Sequence, residues 1–310
     1  MTSGVDPTPE QRARKRVGAA SAIGAFTLWG FSPAYWRLFL QFGALEVLVN
    51  RIIWSVVFLG VLISTREGFA PIVRQLKRPK VLRLLCISTV LIGINWLLFI
   101  WATMNDRVLD ASLGYFINPL ASVAIGAWLL GERLNRPQQV AVGFAVLGVL
   151  VLSTNLSTFP WISLTLATTF AFYGYVRKTV EIEALEGLFV ETLLVTPIAL
   201  GYFIWLMVSG TGHFISGGLM FTLLLMFAGP FTSIPLMLYN IAARRLRLAS
   251  VGLAQYIAPS LHFVLAVSYG ETITTRHLIT FGLIWTGLII YTADAIRQET
   301  KLRRRLAVPR

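Results

Sequence analysis

The stretch Ser112–Glu132, SLGYFINPLASVAIGAWLLGE, most constrains what this chain can become. It is apolar over about 20 residues, the length of one helix across a bilayer. Tyr115, Asn118 and Ser122 fall at i, i+3 and i+7, so they share one helix face. A polar face on a membrane helix is costly unless it looks into protein or water. The stretch also recurs. Gly252–Glu271 reads GLAQYIAPSLHFVLAVSYGE, and at an offset of 140 Leu113, Phe116, Ile117 and Pro119 meet Leu253, Tyr256, Ile257 and Pro259. Tyr115 and Ser122 meet Gln255 and His262. At an offset of 139, Gly131-Glu132, Gly143 and Gly148 meet Gly270-Glu271, Gly282 and Gly287. The chain reads as two copies of one unit.

Only 13% of the 310 residues are charged and mean hydropathy is +0.71. Soluble domains carry about 25% charged residues. The spare apolar residues form long blocks, so the fold class is all-α integral membrane. Ten spans are expected, at 18–40, 45–64, 81–103, 110–130, 138–155, 159–178, 187–208, 219–243, 250–270 and 277–294. Residues 1–16 read as a disordered, basic N-terminus and 296–310 as a basic tail, both cytoplasmic. Between them, 17–155 and 156–295 are the two five-helix repeats. The first span continues well past the short core of a signal peptide, to Leu40, and reads as uncleaved.

The formal net charge of +13 suggests nucleic acid in a soluble protein, but here it follows the membrane. With the N-terminus inside, 23 basic residues fall at inside ends and only Arg37, Arg107 and Arg276 outside. Both termini are therefore expected in the cytoplasm, with the chain multi-pass in a bacterial inner membrane. An odd number of spans per unit turns the second copy over. Such inverted repeats are the pattern of secondary transporters, whose substrate site lies between the halves near mid-membrane. The boundary is placed in the uncharged loop Ser153–Thr158.

The residues also resemble the drug/metabolite transporter superfamily, and within it the RarD-like branch of the EamA proteins. The motifs are Trp29-Gly30, Asn50-Arg51-Ile52-Ile53-Trp54-Ser55, Asn95-Trp96, Trp101-Ala102, Ser112 through Leu120, Tyr173-Gly174, Arg177-Lys178, Glu191-Thr192, Tyr256-Ile257-Ala258-Pro259 and Gly270-Glu271. The resemblance covers roughly residues 16–295. Members usually carry His where this chain has Asn50. It implies a ten-helix inner-membrane carrier that exports small metabolites such as amino acids, and drugs as well. Relatives on this branch are linked to chloramphenicol sensitivity or resistance.

Several residues could carry the chemistry. Arg51 sits about six residues below the outer edge of its span, roughly 9 Å deep at 1.5 Å per residue. It either locks helices together or meets a substrate carboxylate with its planar fork. Glu191 lies too far from Arg51 along the membrane normal to pair with it. It faces Lys178 or Arg177, or acts as a proton-coupling carboxylate. Trp29, Trp96, Tyr115, Tyr173 and Tyr239, with Asn95, Asn118 and Gln255, have the composition of a small-molecule pocket, against the alternative of interfacial anchors. His262 is a hydrogen-bonded core residue or a proton switch. Pro119, Pro197 and Pro259 are expected to kink their spans where gating occurs, or to mark packing irregularity. Gly143, Gly148, Gly282 and Gly287 are assigned to close helix packing.

A channel would show rings of charge or a filter-like loop, and neither is visible. An integral-membrane enzyme finds no support in acid pairs, nucleophile constellations or a phosphate loop. His213, His262 and His277 have no metal-ligand spacing, and Cys86 is the only cysteine. The expectation is a cofactor-free, monomeric secondary transporter working by alternating access on amino acids or related metabolites. Its partners are the small-molecule substrate and the lipid bilayer, without nucleic acid.

Overall fold

In a computed structural model the described residues are 8–39, 41–66, 68–104, 108–153, 159–214, 216–268 and 275–307. Their α-helices run in the order α1 Pro9–Trp36, α2 Ala44–Ser64, α3 Ala70–Leu76, α4 Pro79–Met104, α5 Val108–Leu129 and α6 Arg136–Ser153. There follow α7 Trp161–Thr179, α8 Ala184–Val208, α9 Leu219–Arg245, α10 Leu248–Ala254, α11 Ile257–Ser268 and α12 Thr275–Ala307. No strand occurs among the described residues. A helix satisfies its own backbone, which is what hydrocarbon demands. Among the described residues, seven helical stretches are long and apolar enough to cross a membrane: Ala44–Ser64, Pro79–Phe99, Arg136–Ser153, Ala184–Val208, Leu219–Arg245, Leu248–Leu265 and Thr275–Asp294. The chain is a multi-pass membrane protein.

The helices depart from ten continuous spans in three ways. The stretch 250–270 is two helices, broken at Gln255 and Tyr256, so Pro259 opens the first turn of α11 rather than kinking one long helix. A lone proline costs least there, because first-turn N–H groups have no helical partner. Residues 9–16, expected to be disordered, are the start of α1. Thr8 and Gln11 form a reciprocal capping box with Pro9 at the first helical position. Likewise α12 continues through 296–307. The repeat boundary at 154–158 and the Gly270-Glu271 motif lie outside the described residues.

Helix packing has a regularity that follows the sequence offset of 139–140. Let spans 1–5 be α1, α2, α4, α5 and α6, and spans 6–10 be α7, α8, α9, α10 with α11, and α12. Then α1–α9 exchanges with α4–α7, α2–α9 with α4–α8, and α5–α7 with α1–α11. The pairs α2–α8, α5–α10 and α6–α12 map onto themselves. Most packing is therefore between a helix of the set α1–α6 and a helix of the set α7–α12.

The pair α6–α12 shows the same relation in atoms. A Cβ on Gly148 would meet the Thr280 carbonyl at 3.2 Å, and one on Gly287 would meet the Ala141 carbonyl at 2.8 Å. Ala141 and Thr280 are themselves repeat mates at the 139 offset. Gly143 and Gly282 correct the expectation made for them: a Cβ on either meets nothing within 4 Å. They are not packing glycines.

Candidate functional site

Three side-chain groups meet where α1, α2, α4, α7, α8 and α9 converge. The first is aromatic. Tyr173 on α7 stacks on Tyr239 on α9, with ring centres 6.0 Å apart and planes at 16°. Trp29 on α1 lies 5.8 Å from Tyr239 and 5.9 Å from Phe170. Tyr173 and Tyr239 are fully buried. Gly174 permits this approach, since a Cβ there would sit 2.3 Å from the Tyr239 hydroxyl.

The second group is ionic. Arg177, one turn after Tyr173 on α7, reaches Glu191 on α8 at 3.3 Å, with side-chain exposures of 0% and 3%. Its other nitrogen donates to the Ala184 carbonyl at 3.2 Å. Glu191 also accepts from Ser88 on α4, and from the Tyr173 hydroxyl at 3.1 Å. A buried charge persists only when paired and hydrogen-bonded in this way. Asn240 Oδ1 lies 3.2 Å from the same tyrosine oxygen while Asn240 Nδ2 lacks a partner. One hydroxyl has one proton, so turning the amide over lets Nδ2 donate to Tyr173 while Tyr173 donates to Glu191. Gly187 makes room for the arginine: a Cβ there would lie 2.2 Å from it.

The third group surrounds Arg51 on α2. Its guanidinium lies 4.4 Å from the ring centre of Trp96 on α4 and 5.7 Å from that of Trp36 on α1. Such cation–π contacts are worth about 2 kcal/mol when desolvated. The buried Nε of Arg51 has no hydrogen-bond partner among the described residues. Asn50 beside it is buried and donates to the Glu46 carbonyl at 2.9 Å.

Between these groups lies a cavity lined by Ile52, Trp96, Tyr173, Glu191, Thr192 and Leu236, among others. It encloses about 10 Å³, room for about one water. The conformation is closed around its centre.

Pro33 explains the position of His262. Lacking an N–H, it leaves the Trp29 carbonyl without its helical donor. The His262 Nε2–H donates to that carbonyl at 3.1 Å, and Ser32 donates at 2.7 Å. His262 therefore ties α11 to α1 one turn before Pro33, with Tyr115 edge-on at 6.3 Å. Asn95 is used in a similar way, its amide donating to the Leu166 carbonyl at 2.8 Å and the Thr169 hydroxyl at 2.9 Å on α7. Gln255 accepts from Ser122 at 3.2 Å, joining the two repeat-related polar faces. Asn118 is buried on the same face of α5, its Oδ1 unpartnered. Pro119 and Pro197 lie inside α5 and α8, as do Pro230 and Pro235 inside α9.

The expected residues thus divide. Trp29, Arg51, Trp96, Tyr173, Tyr239 and Glu191 gather at the centre. Tyr115, Asn118, Gln255 and His262 follow the seam of α5 with α10 and α11, and Asn95 is tied to α7. Sequence reasoning missed Ser88 and Trp36, and met Asn240 only as the polar residue beside Tyr239. Ser88 carried no signal.

Comparison with known proteins fits this architecture. The model of the EamA-like transporter family matches residues 16–154. Protein RarD of Salmonella typhi is 46% identical across 92% of this chain and 98% of its own. An uncharacterized transporter of Vibrio cholerae is 41% identical across 96% and 98%. The protein of Pseudomonas aeruginosa named chloramphenicol-sensitive protein RarD is 30% identical across 93% and 97%. One solved crystal structure, 17% identical, superposes with a TM-score of 0.67 over 93% of this chain and 99% of its own, and so shares the fold. The chain belongs to the EamA family of transporters, in its RarD-like branch within the drug/metabolite transporter superfamily.

Proposed function

We propose that this protein exports small amphipathic metabolites, foremost amino acids, across the bacterial inner membrane by alternating access. It does so with ten spans in two inverted repeats and both termini in the cytoplasm. The observation that carries this reading is Arg51: a guanidinium held between two indoles, one of them lining the central cavity, with its Nε unpartnered. A planar fork suits a substrate carboxylate. The aromatic walls suit an apolar side chain or a compact drug such as chloramphenicol. The pairing of helices between the repeats supports a rocking motion of one half on the other. Glu191, a carboxylate lining the cavity, is the group for coupling to protons.

The test is uptake into proteoliposomes of a panel of labelled amino acids and chloramphenicol, with and without a pH gradient. Saturable flux with counterflow is expected, and the gradient effect should disappear in Glu191→Gln. Linear, unsaturated flux would favour a pore.

A further inference from the structure

Away from the central site, α6 and α12 leave a groove of about 470 Å³. Val140, Ile289 and Ile290 give it apolar walls, and Arg136, Asp294 and Arg297 form its polar end. On the basic-inside orientation, that end faces the cytoplasm. Arg136 opens α6, and Arg297 lies one turn past the apolar run that closes at Asp294, so both guanidiniums sit at the level of lipid headgroups. Val140 and Ile289 are 49% and 69% exposed on stretches that cross the bilayer, so what lies against them is lipid.

We propose that this groove binds an anionic phospholipid, its phosphate between Arg136 and Arg297 and an acyl chain along Val140 and Ile289. Charge selects the headgroup. Two guanidiniums against one carboxylate leave a formal +1, which a phosphodiester of −1 neutralises. A choline headgroup would bring a further cation to a pocket already positive. Asp294 is held by the Asn135 amide at 2.7 Å. Among the described residues neither arginine has an ion-pair partner. Arginine forks match phosphate oxygens two at a time, and basic pockets between helices on the cytoplasmic side hold anionic headgroups. The repeat does not require this charge: at the 139 offset Arg136 and Arg297 correspond to Thr275 and Thr158. The proposal uses the bilayer orientation but not transport, so it can fail while the transport reading stands.

The test uses the full chain purified in detergent, with thermal unfolding and native mass spectrometry as readouts. The probes are phosphatidylglycerol, phosphatidylcholine of the same chains, and glycerol phosphate. Phosphatidylglycerol should raise the unfolding midpoint at a concentration at least tenfold below that needed for phosphatidylcholine, and should remain bound in the gas phase. Arg136→Gln/Arg297→Gln should abolish that preference, while Arg136→Lys/Arg297→Lys should keep part of it. Equal effects of the two lipids on the unmutated chain would overturn the proposal, however the variants express. So would a preference that survives the double glutamine variant, or an equal effect of glycerol phosphate without its chains.

Discussion

Arg177 meets Glu191 at 3.3 Å with both side chains buried, on neighbouring helices α7 and α8 beside the central cavity. Ser88 and Tyr173 complete the acid's partners from α4 and α7. A cluster tying three helices together stabilises a fold and also sets which movements are open to it.

Removing one member leaves an uncompensated buried charge, a cost of about 3–5 kcal/mol. Arg177→Met and Glu191→Leu should each lower the thermal unfolding midpoint sharply in detergent. The double variant should recover part of the loss, because two apolar side chains need no partner. Strict additivity would show that the two do not act as a pair.

The α6–α12 seam gives a graded prediction. Gly287→Ala puts a methyl 2.8 Å from a carbonyl oxygen and Gly148→Ala puts one at 3.2 Å, whereas Gly143→Ala and Gly282→Ala meet open space. Overpacking costs about 1–3 kcal/mol. Unfolding midpoints should fall in the order Gly287→Ala, then Gly148→Ala, with no loss for the other two.

Glu132 closes the end of the bundle that carries Lys178 and Arg247. Its carboxylate accepts from the Leu248 and Ala249 N–H groups at 2.7 and 2.9 Å, and lies 3.7 Å from Lys178. It caps α10 from the segment that follows α5, a contact worth about 1 kcal/mol. Glu132→Ala should loosen the contact between α5 and α10. In a Cys86→Ser background, a cysteine replacing Ser122 should then label several-fold faster with a water-soluble thiol reagent. An unchanged labelling rate would remove Glu132 from any gate.

The helical membrane class and the family were legible in the sequence because each rests on periodic or local signals. Pro119 and Pro259 align, and Gly148 and Gly287, aligned at the 139 offset, each pack closely on the other's helix. The break in span nine was less visible. A proline three residues into a new helix and one inside a continuous helix look alike in a linear pattern. The partners of Glu191 were partly legible: Arg177 was named as a candidate, but Ser88 comes from a helix 103 positions away and no spacing announces it. His262 illustrates the opposite case. Pro33 dictates an orphan carbonyl at Trp29, yet which residue satisfies it depends on how α11 crosses α1.

Arg51 bears most directly on the transport reading. The decisive measurement is counterflow in proteoliposomes of a labelled amino acid and of its amide, by wild type and by Arg51→Gln. One charge-assisted hydrogen bond to a carboxylate is worth about 1.5–3 kcal/mol, so the variant should transport the acid at least tenfold more slowly. Transport of the amide should fall less than threefold. Equal loss for acid and amide in a variant that folds normally would contradict carboxylate recognition and leave Arg51 a brace between Trp36 and Trp96.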